Sequence, residues 1–381
     1  MNQPGASAAN AFSALAGRFV LQPGQRTAIS GARPIAAADL LSRLLKGQHF
    51  AATQARLGHV FTLCAHAHQR TCALAFAAAT ESASATGSAS VNLVKPPPLA
   101  LLRWETARDH LRTIALEWPQ RLGEPSLQAE AMNWLRTCPV PLAGAWQPSA
   151  SEVCTSLAAL HEWLAQDTGF PAQCLAHWRA QGKDLAVPLR PLDVLNPDAT
   201  THEQQLRLLG QAIATNPDFT HNPQWQGACA ETGPWTRLRH RRQPTAGQPV
   251  SAWARLEARW LELLDLAAAP ALADDATYDP LLSSGALELG DGQAIAWCEM
   301  ARGLLLHWLQ RDDHGAVAQY RVIAPTEWNF HPQGALALAL AACAPQDIKA
   351  AQTLAAAFDP CVECSVQTAA PEGGQKEHSH A

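Results

Sequence analysis

No apolar run of about eighteen residues occurs anywhere in the 381-residue chain, so no transmembrane helix is expected. Positive charge is not in excess either. The 28 Lys and Arg stand against 33 Asp and Glu, a net charge of −5, which excludes the electrostatic footprint of a nucleic-acid or anionic-membrane binder. Met1-Asn2-Gln3-Pro4-Gly5 lacks a charged n-region, an apolar h-region and a twin Arg, so the expected location is cytoplasmic. No internal repeat is present. What is there is a hydrophobic content of 48% over a length that can bury a sizeable core. Ten cysteines in a reducing compartment are thiols or ligands, not a disulfide framework, and most are expected to pack as small hydrophobes.

Residues 1–11 read as disordered, and Leu15 to Ser30 as a strand or two around a Pro23-Gly24 turn. Ala36 to Gly47 reads as a helix with Leu40, Leu41, Leu44 and Leu45 on one face. Val60 to His68 runs into an Ala-rich helix ending near Thr80, and 81–98 reads as a flexible, low-complexity loop. Arg103 to Trp118 is a charged amphipathic helix expected to stop at Pro119. Ser251 is placed as the N-cap of a helix with Trp253, Leu256, Trp260 and Leu264 inward. Alternation after Ile295, with an Asp312-Asp313-His314-Gly315 turn, predicts a β-hairpin from Arg302 to Ile323. A helix from about Gln346 to Phe358 follows, and 365–381 reads as a disordered tail.

Chemistry concentrates in Asp359-Pro360-Cys361-Val362-Glu363-Cys364. Proline fixes its own φ, and the Asp before it is expected to be extended. Two thiols in C-x-x-C spacing suit a metal, a redox pair or half of a structural zinc site. Far upstream, Cys64 and His68 are four residues apart and share a helix face, with Cys72 four further on as a rival third ligand. The bland readings are inert thiols for the C-terminal pair and a core cysteine for Cys64. His378 and His380 read as solvated, and Arg239, Arg241 and Arg242 as an exposed loop or a docking patch for an acidic partner. Cys138, Cys154, Cys174, Cys229, Cys298 and Cys343 have no partner at metal spacing and read as packing.

Five short segments, in order along the chain, resemble the large subunit of nickel–iron hydrogenases. Cys361 and Cys364 match that family's D-P-C-x-x-C, and Cys64 with His68 matches the second thiol and the His of its R-x-C-G-x-C-x-x-x-H. Glu231-x-Gly233-Pro234-x-x-Arg237, Ala301-Arg302-Gly303 with His307, and Pro325-Thr326-x-Trp328-Asn329 resemble its three internal anchors. The departures carry as much information. Phe61 stands where the first N-terminal thiol belongs, and Gln367 where the final His belongs. This pattern is similar to the HupK/HoxV-type hydrogenase maturation proteins.

That resemblance implies a mainly α (α+β) fold, a trimmed large-subunit-like domain over 12–364 with a central helix bundle and a small β-hairpin region. It implies an accessory protein and not an enzyme, a scaffold holding an iron carrying CN and CO for a hydrogenase large subunit. The alternative is a metal-free chaperone that mimics the large subunit and binds maturation factors or the small subunit. The implied ligands are Cys64, Cys361 and Cys364, with Arg302 near the cyanide groups and His68 either orienting Cys64 or hydrogen-bonding a ligand of the iron. Nickel is unlikely on this reading because Phe61 cannot ligate. The loss of the His at position 367 implies that the tail is kept to Ala381.

Overall fold

The computed structural model describes residues 17–34, 38–84, 94–142, 148–166, 169–195, 202–239 and 250–368. The expectations for 1–11, for 85–93 of the 81–98 loop, for Arg241 and Arg242, and for His378 and His380 lie outside the described residues, while 81–84 is helix and not loop. Strands β1 (Arg18–Leu21) and β2 (Ile29–Ala32) open the chain around the expected Pro-Gly turn. Helices α1 (Ala38–Leu45), α2 (Phe50–Val60) and α3 (Ala65–Ser84) follow, then α4 (Leu99–Arg112), α5 (Trp118–Leu122) and α6 (Pro125–Leu135). Next come α7 (Ala150–Leu164), α8 (Phe170–Gly182), α9 (His202–Thr215), α10 (Pro234–Leu238) and α11 (Ala252–Ala268). Strands β3 (Ser284–Gly290), β4 (Gln293–Met300), β5 (Gly303–Arg311) and β6 (Val317–Ile323) are followed by α12 (Pro325–Asn329), α13 (Ala335–Ala341), α14 (Ile348–Phe358) and β7 (Glu363–Val366).

The expected hairpin is half of a four-stranded antiparallel sheet in the order β3-β4-β5-β6. Its first hairpin turns at Gly290-Asp291-Gly292, all three at positive φ, a signal the alternation rule overlooked. Strands β4 and β5 are nearly continuous apolar runs because α3 covers one face of the sheet and α9 the other. Behind α3 lies the helix bundle: α11 packs on α4, α7, α8 and α14. The inward face of α11 corrects the sequence reading. Leu256 is buried as expected, but Trp253, Trp260 and Leu264 are only half-buried, while Arg255, Arg259 and Glu262 point inward. Ser251 does cap the helix, accepting a bond from the amide of Ala254.

Pro119 does not end its helix. A π turn over Thr113–Glu117 widens the spiral just ahead of it, and the chain continues helically to Leu122, where Gly123 stops it at φ 69°. A wider turn accommodates a residue that has no N–H and whose ring crowds the preceding carbonyl. At the other end of the chain, residues 363–366 are strand, not tail. They pair parallel to β1 with Phe19 opposite Cys364, and the amide of Gln367 then donates to Leu21.

Candidate metal-cargo site

Cys64 sits at the joint between α2 and α3. A single 3₁₀ turn, Thr62–Cys64, links the two helices, and the Cys64 amide donates to Phe61. The open amides at the start of α3 are taken by Glu105 of α4, which accepts from His66 at 2.8 Å and Ala67 at 3.0 Å. Burial nevertheless pushes the Glu105 carboxyl up to about 8, against those two donors. Burial also pushes the Cys64 thiol well above the ordinary range. Glu105 and Cys361 add to that shift, and Arg302 opposes it. Cys64 and Cys361, about 300 residues apart in sequence, therefore lie within electrostatic reach of one another and of Arg302.

The C-terminal motif is presented by the end of α14. That helix starts from an Asp347 cap and ends at Asp359, which is left-handed at φ 45°, ψ 73°. The extended conformation expected before Pro360 is thus not adopted. The cause is visible in the partners of Asp359: its Oδ2 lies 2.9 Å from Arg259 and 3.3 Å from Arg302. Burial raises its pKa, but Arg259 and Arg302 outweigh that and hold the carboxyl below its usual value. Two residues on, Cys361 Sγ lies 3.0 Å from the hydroxyl of Thr326 on α12. Cys364 is on β7 against the second apolar cluster, where burial pushes its thiol up to about 12.

Arg302 occupies the tight turn joining β4 and β5, not the start of a two-stranded hairpin. It donates to Asp109 at 2.6 Å, and its surroundings explain its charge: burial opposes it, while Asp109, Asp359 and Cys361 favour it. Gly303 follows at φ 136°. A Cβ there would stand 2.6 Å from Thr232, so only glycine lets the 231–234 loop lie on this turn. A second guanidinium, Arg33, was not foreseen. It is buried, donates to Glu327 at 2.6 Å, and is kept charged by Cys361, Glu327 and Cys64 although burial works against it. Nothing in the sequence around Arg33 marks it, because its partners come from β7's approach and α12.

The internal anchors prove to be braces for this site. Glu231 binds Arg255 through both oxygens at 2.9 and 2.6 Å. Arg237 binds Glu262 in the same way at 2.8 and 2.6 Å and also donates to Met300 at 3.1 Å. Asn329 closes a pair of bonds on the backbone of Thr232, both 2.9 Å, and Thr232 accepts from Leu304. The loop at 231–237, the Arg302 turn and α12 are thereby locked together.

His68 faces inward. Its ring stacks flat on Phe61 with centroids 3.8 Å apart, so the residue that replaces a thiol packs on the histidine of the same motif. His68 Nδ1 lies 3.0 Å from His307 Nε2, His307 Nδ1 lies 2.7 Å from the Tyr320 hydroxyl, and Tyr320 bonds Cys72. Burial keeps both imidazoles neutral, with His307 lowered to about 3. Cys72 belongs to that buried chain and not to a ligand cluster with Cys64. Cys229, expected to pack, lies 3.7 Å from His331 Nε2. Arg239 pairs with Asp193.

Cys64 and Cys361 thus lie within electrostatic reach of each other and of Arg302 and Arg33, and Cys364 within that of Cys361. Cys64 packs on the main apolar cluster and Cys364 on the second. Among the described residues, no group of three or more His, Cys, Asp or Glu stands ready to hold a metal. Burial holds Cys64 and Cys364 as thiols beside buried cations, and Arg33 Nε has no hydrogen-bond acceptor among the described residues.

Comparison with known proteins identifies the family. A family model described as nickel-dependent hydrogenase matches residues 248–367, from the start of α11 to just past β7. The hydrogenase expression/formation protein HoxV of Cupriavidus necator is 36% identical over 93% of this chain and 96% of its own length. The hydrogenase expression/formation protein HupK of Rhizobium leguminosarum bv. viciae is 30% identical over 87% of this chain and 90% of its own. Among solved structures, two variants of the [NiFeSe] hydrogenase from Desulfovibrio vulgaris Hildenborough superpose with TM-scores of 0.51 and 0.50 at 14% identity. They cover 87% and 86% of this chain and 92% and 91% of theirs, a likeness of fold alone. The chain belongs to the HupK/HoxV family of hydrogenase expression/formation proteins and has the fold of a hydrogenase large subunit.

Proposed function

We propose that this protein is a scaffold that holds an iron bearing CN and CO between Cys64 and the Cys361/Cys364 pair and passes it to a hydrogenase large subunit. The reading is supported by the mutual electrostatic reach of Cys64, Cys361 and two buried guanidiniums, Arg33 and Arg302. Soft thiolates suit a low-spin iron, and guanidinium N–H groups suit the nitrogen of a metal-bound cyanide. Cys64 and Cys364 are protonated before cargo arrives, so loading releases protons and tightens as pH rises. Phe61 fills the place of a further thiol with an apolar ring, which leaves nickel short of a ligand.

A second reading is a metal-free chaperone that presents a large-subunit-like surface to maturation factors or to the small subunit. It is favoured by the absence, among the described residues, of three ligands already gathered for a metal. The two part on one measurement. Iron-bound CN and CO stretch in an infrared window where protein is silent. Protein purified from a host with the maturation machinery shows those bands if it is the scaffold, and Cys64→Ala or Cys364→Ala removes them. Wild-type protein without bands, yet still required for hydrogenase formation, leaves the chaperone.

A further inference from the structure

Arg302 is held by more than the acids that touch it. Asp109 takes its Nη1 at 2.6 Å through Oδ2 and offers Oδ1 to Arg112, whose Nε and Nη2 lie 3.3 and 3.2 Å away. Arg112 Nη2 in turn lies 2.8 Å from Glu117 Oε1, and Glu117 Oε2 lies 3.5 Å from Arg121. Charge alternates along this line while depth falls. The side chains of Arg302 and Asp109 are 3% and 7% exposed, those of Arg112, Glu117 and Arg121 23%, 21% and 26%. The line therefore runs from the protein surface to Arg302.

Arg112 and Glu117 are five residues apart. In an α-helix that spacing turns two side chains about 140° from each other around the axis, too far to pair. The π turn between them removes the mismatch. The amide of Trp118 donates to Thr113, five residues back, and a turn closed in that way brings Glu117 over Arg112. Pro119 favours the wider turn because it has no N–H to give to the preceding turn. Glu117 is also among the groups that favour the charge of Arg302, and Arg112 and Arg121 are among those that hold Asp359 below its usual value.

We propose, resting on the scaffold reading, that Arg112 and Glu117 are positioning residues for Arg302. Held by Arg112 on its outer oxygen, Asp109 keeps one orientation, and Arg302 then presents its remaining N–H groups in one direction. The π turn is what lets a half-exposed pair reach that far inward. Ion pairs near the surface add little to global stability, so the signature of this role is order at Arg302 and not a lower urea midpoint.

The test uses the full chain without iron. NMR follows exchange of the Arg302 Nε–H with water, its resonance identified by its loss in Arg302→Lys. Glu117→Gln and Arg112→Lys are each expected to speed that exchange by about three-fold or more, since lysine has no fork to span Asp109 and Glu117. The double variant is expected to exchange no faster than the faster single one, because both changes break the same line. Arg103, on the same helix α4 but bonded to Asp279 at 2.8 Å, is the control and keeps its rate. An Arg302 rate unchanged in either variant overturns the proposal. So does equal acceleration of Arg103, which marks a general loosening of α4, or a double variant in which the two accelerations multiply. Missing infrared bands with the expected exchange rates sink the iron cargo alone and leave the positioning line in place.

Discussion

Replacing Glu262 by Gln tests whether the buried charges hold the Arg302 turn in place. Glu262 lies on the inward face of α11, 4% exposed, with Arg237 on both oxygens and His110 at 2.7 Å. Burial alone would raise its pKa, but Arg237 and His110 hold it at about 2, against 4.5 for a free carboxyl. The folded value is the lower one. Its contribution is therefore present above pH 4.5 and is lost as pH falls through 2. At about 1.4 kcal/mol per unit the gap is worth about 3 kcal/mol at pH 7, shrinking to about 2 kcal/mol at pH 3.5. A similar figure follows from breaking a buried ion pair, about 3–5 kcal/mol. Urea unfolding followed by tryptophan fluorescence, on wild type and Glu262→Gln at both pH values, gives the difference directly. A loss below about 1 kcal/mol at pH 7, or one that does not narrow at pH 3.5, refutes the assignment.

Glu105→Gln works in the opposite direction. Its folded carboxyl is raised from 4.5 to about 8, so the stabilisation is complete below pH 4.5 and fades as pH rises through 8. Wild-type stability should drop by on the order of 3 kcal/mol more than that of Glu105→Gln between pH 5 and 8, read from urea midpoints. Phe61→Cys restores the missing thiol at the expense of the ring stacked on His68. It should destabilise by about 3 kcal/mol in urea melts, and retain more nickel per chain after desalting, measured by elemental analysis. Equal nickel in the two proteins means that Phe61 is not what keeps nickel out.

Much of the local structure could be read from single stretches. The Ser251 cap, the Asp312–Gly315 turn and the helix feeding Asp359 each depend on a few neighbouring side chains, and each is present. The motifs themselves were legible because their residue types are rare at that spacing: two thiols behind Asp-Pro, and a Cys with His four residues on. Failures came where the competing force was distant. Pro119 looked like a helix end, but packing around the continued helix tolerates a π turn instead. Asp359 looked extended, but Arg259 and Arg302 draw it left-handed. The tail after Cys364 looked polar and loose, but β1, some 345 residues earlier, offers it an edge.

By itself the sequence singled out the candidate ligands Cys64, Cys361 and Cys364 and put Phe61 where the resembled family has a thiol, since ligating capacity is a property of the side chain. Only the tertiary structure decided what surrounds them. Arg33 lies just past β2 while Asp109 and Glu105 sit one turn apart on α4, and the protonation of a buried thiol depends on burial and on charges that no local pattern encodes.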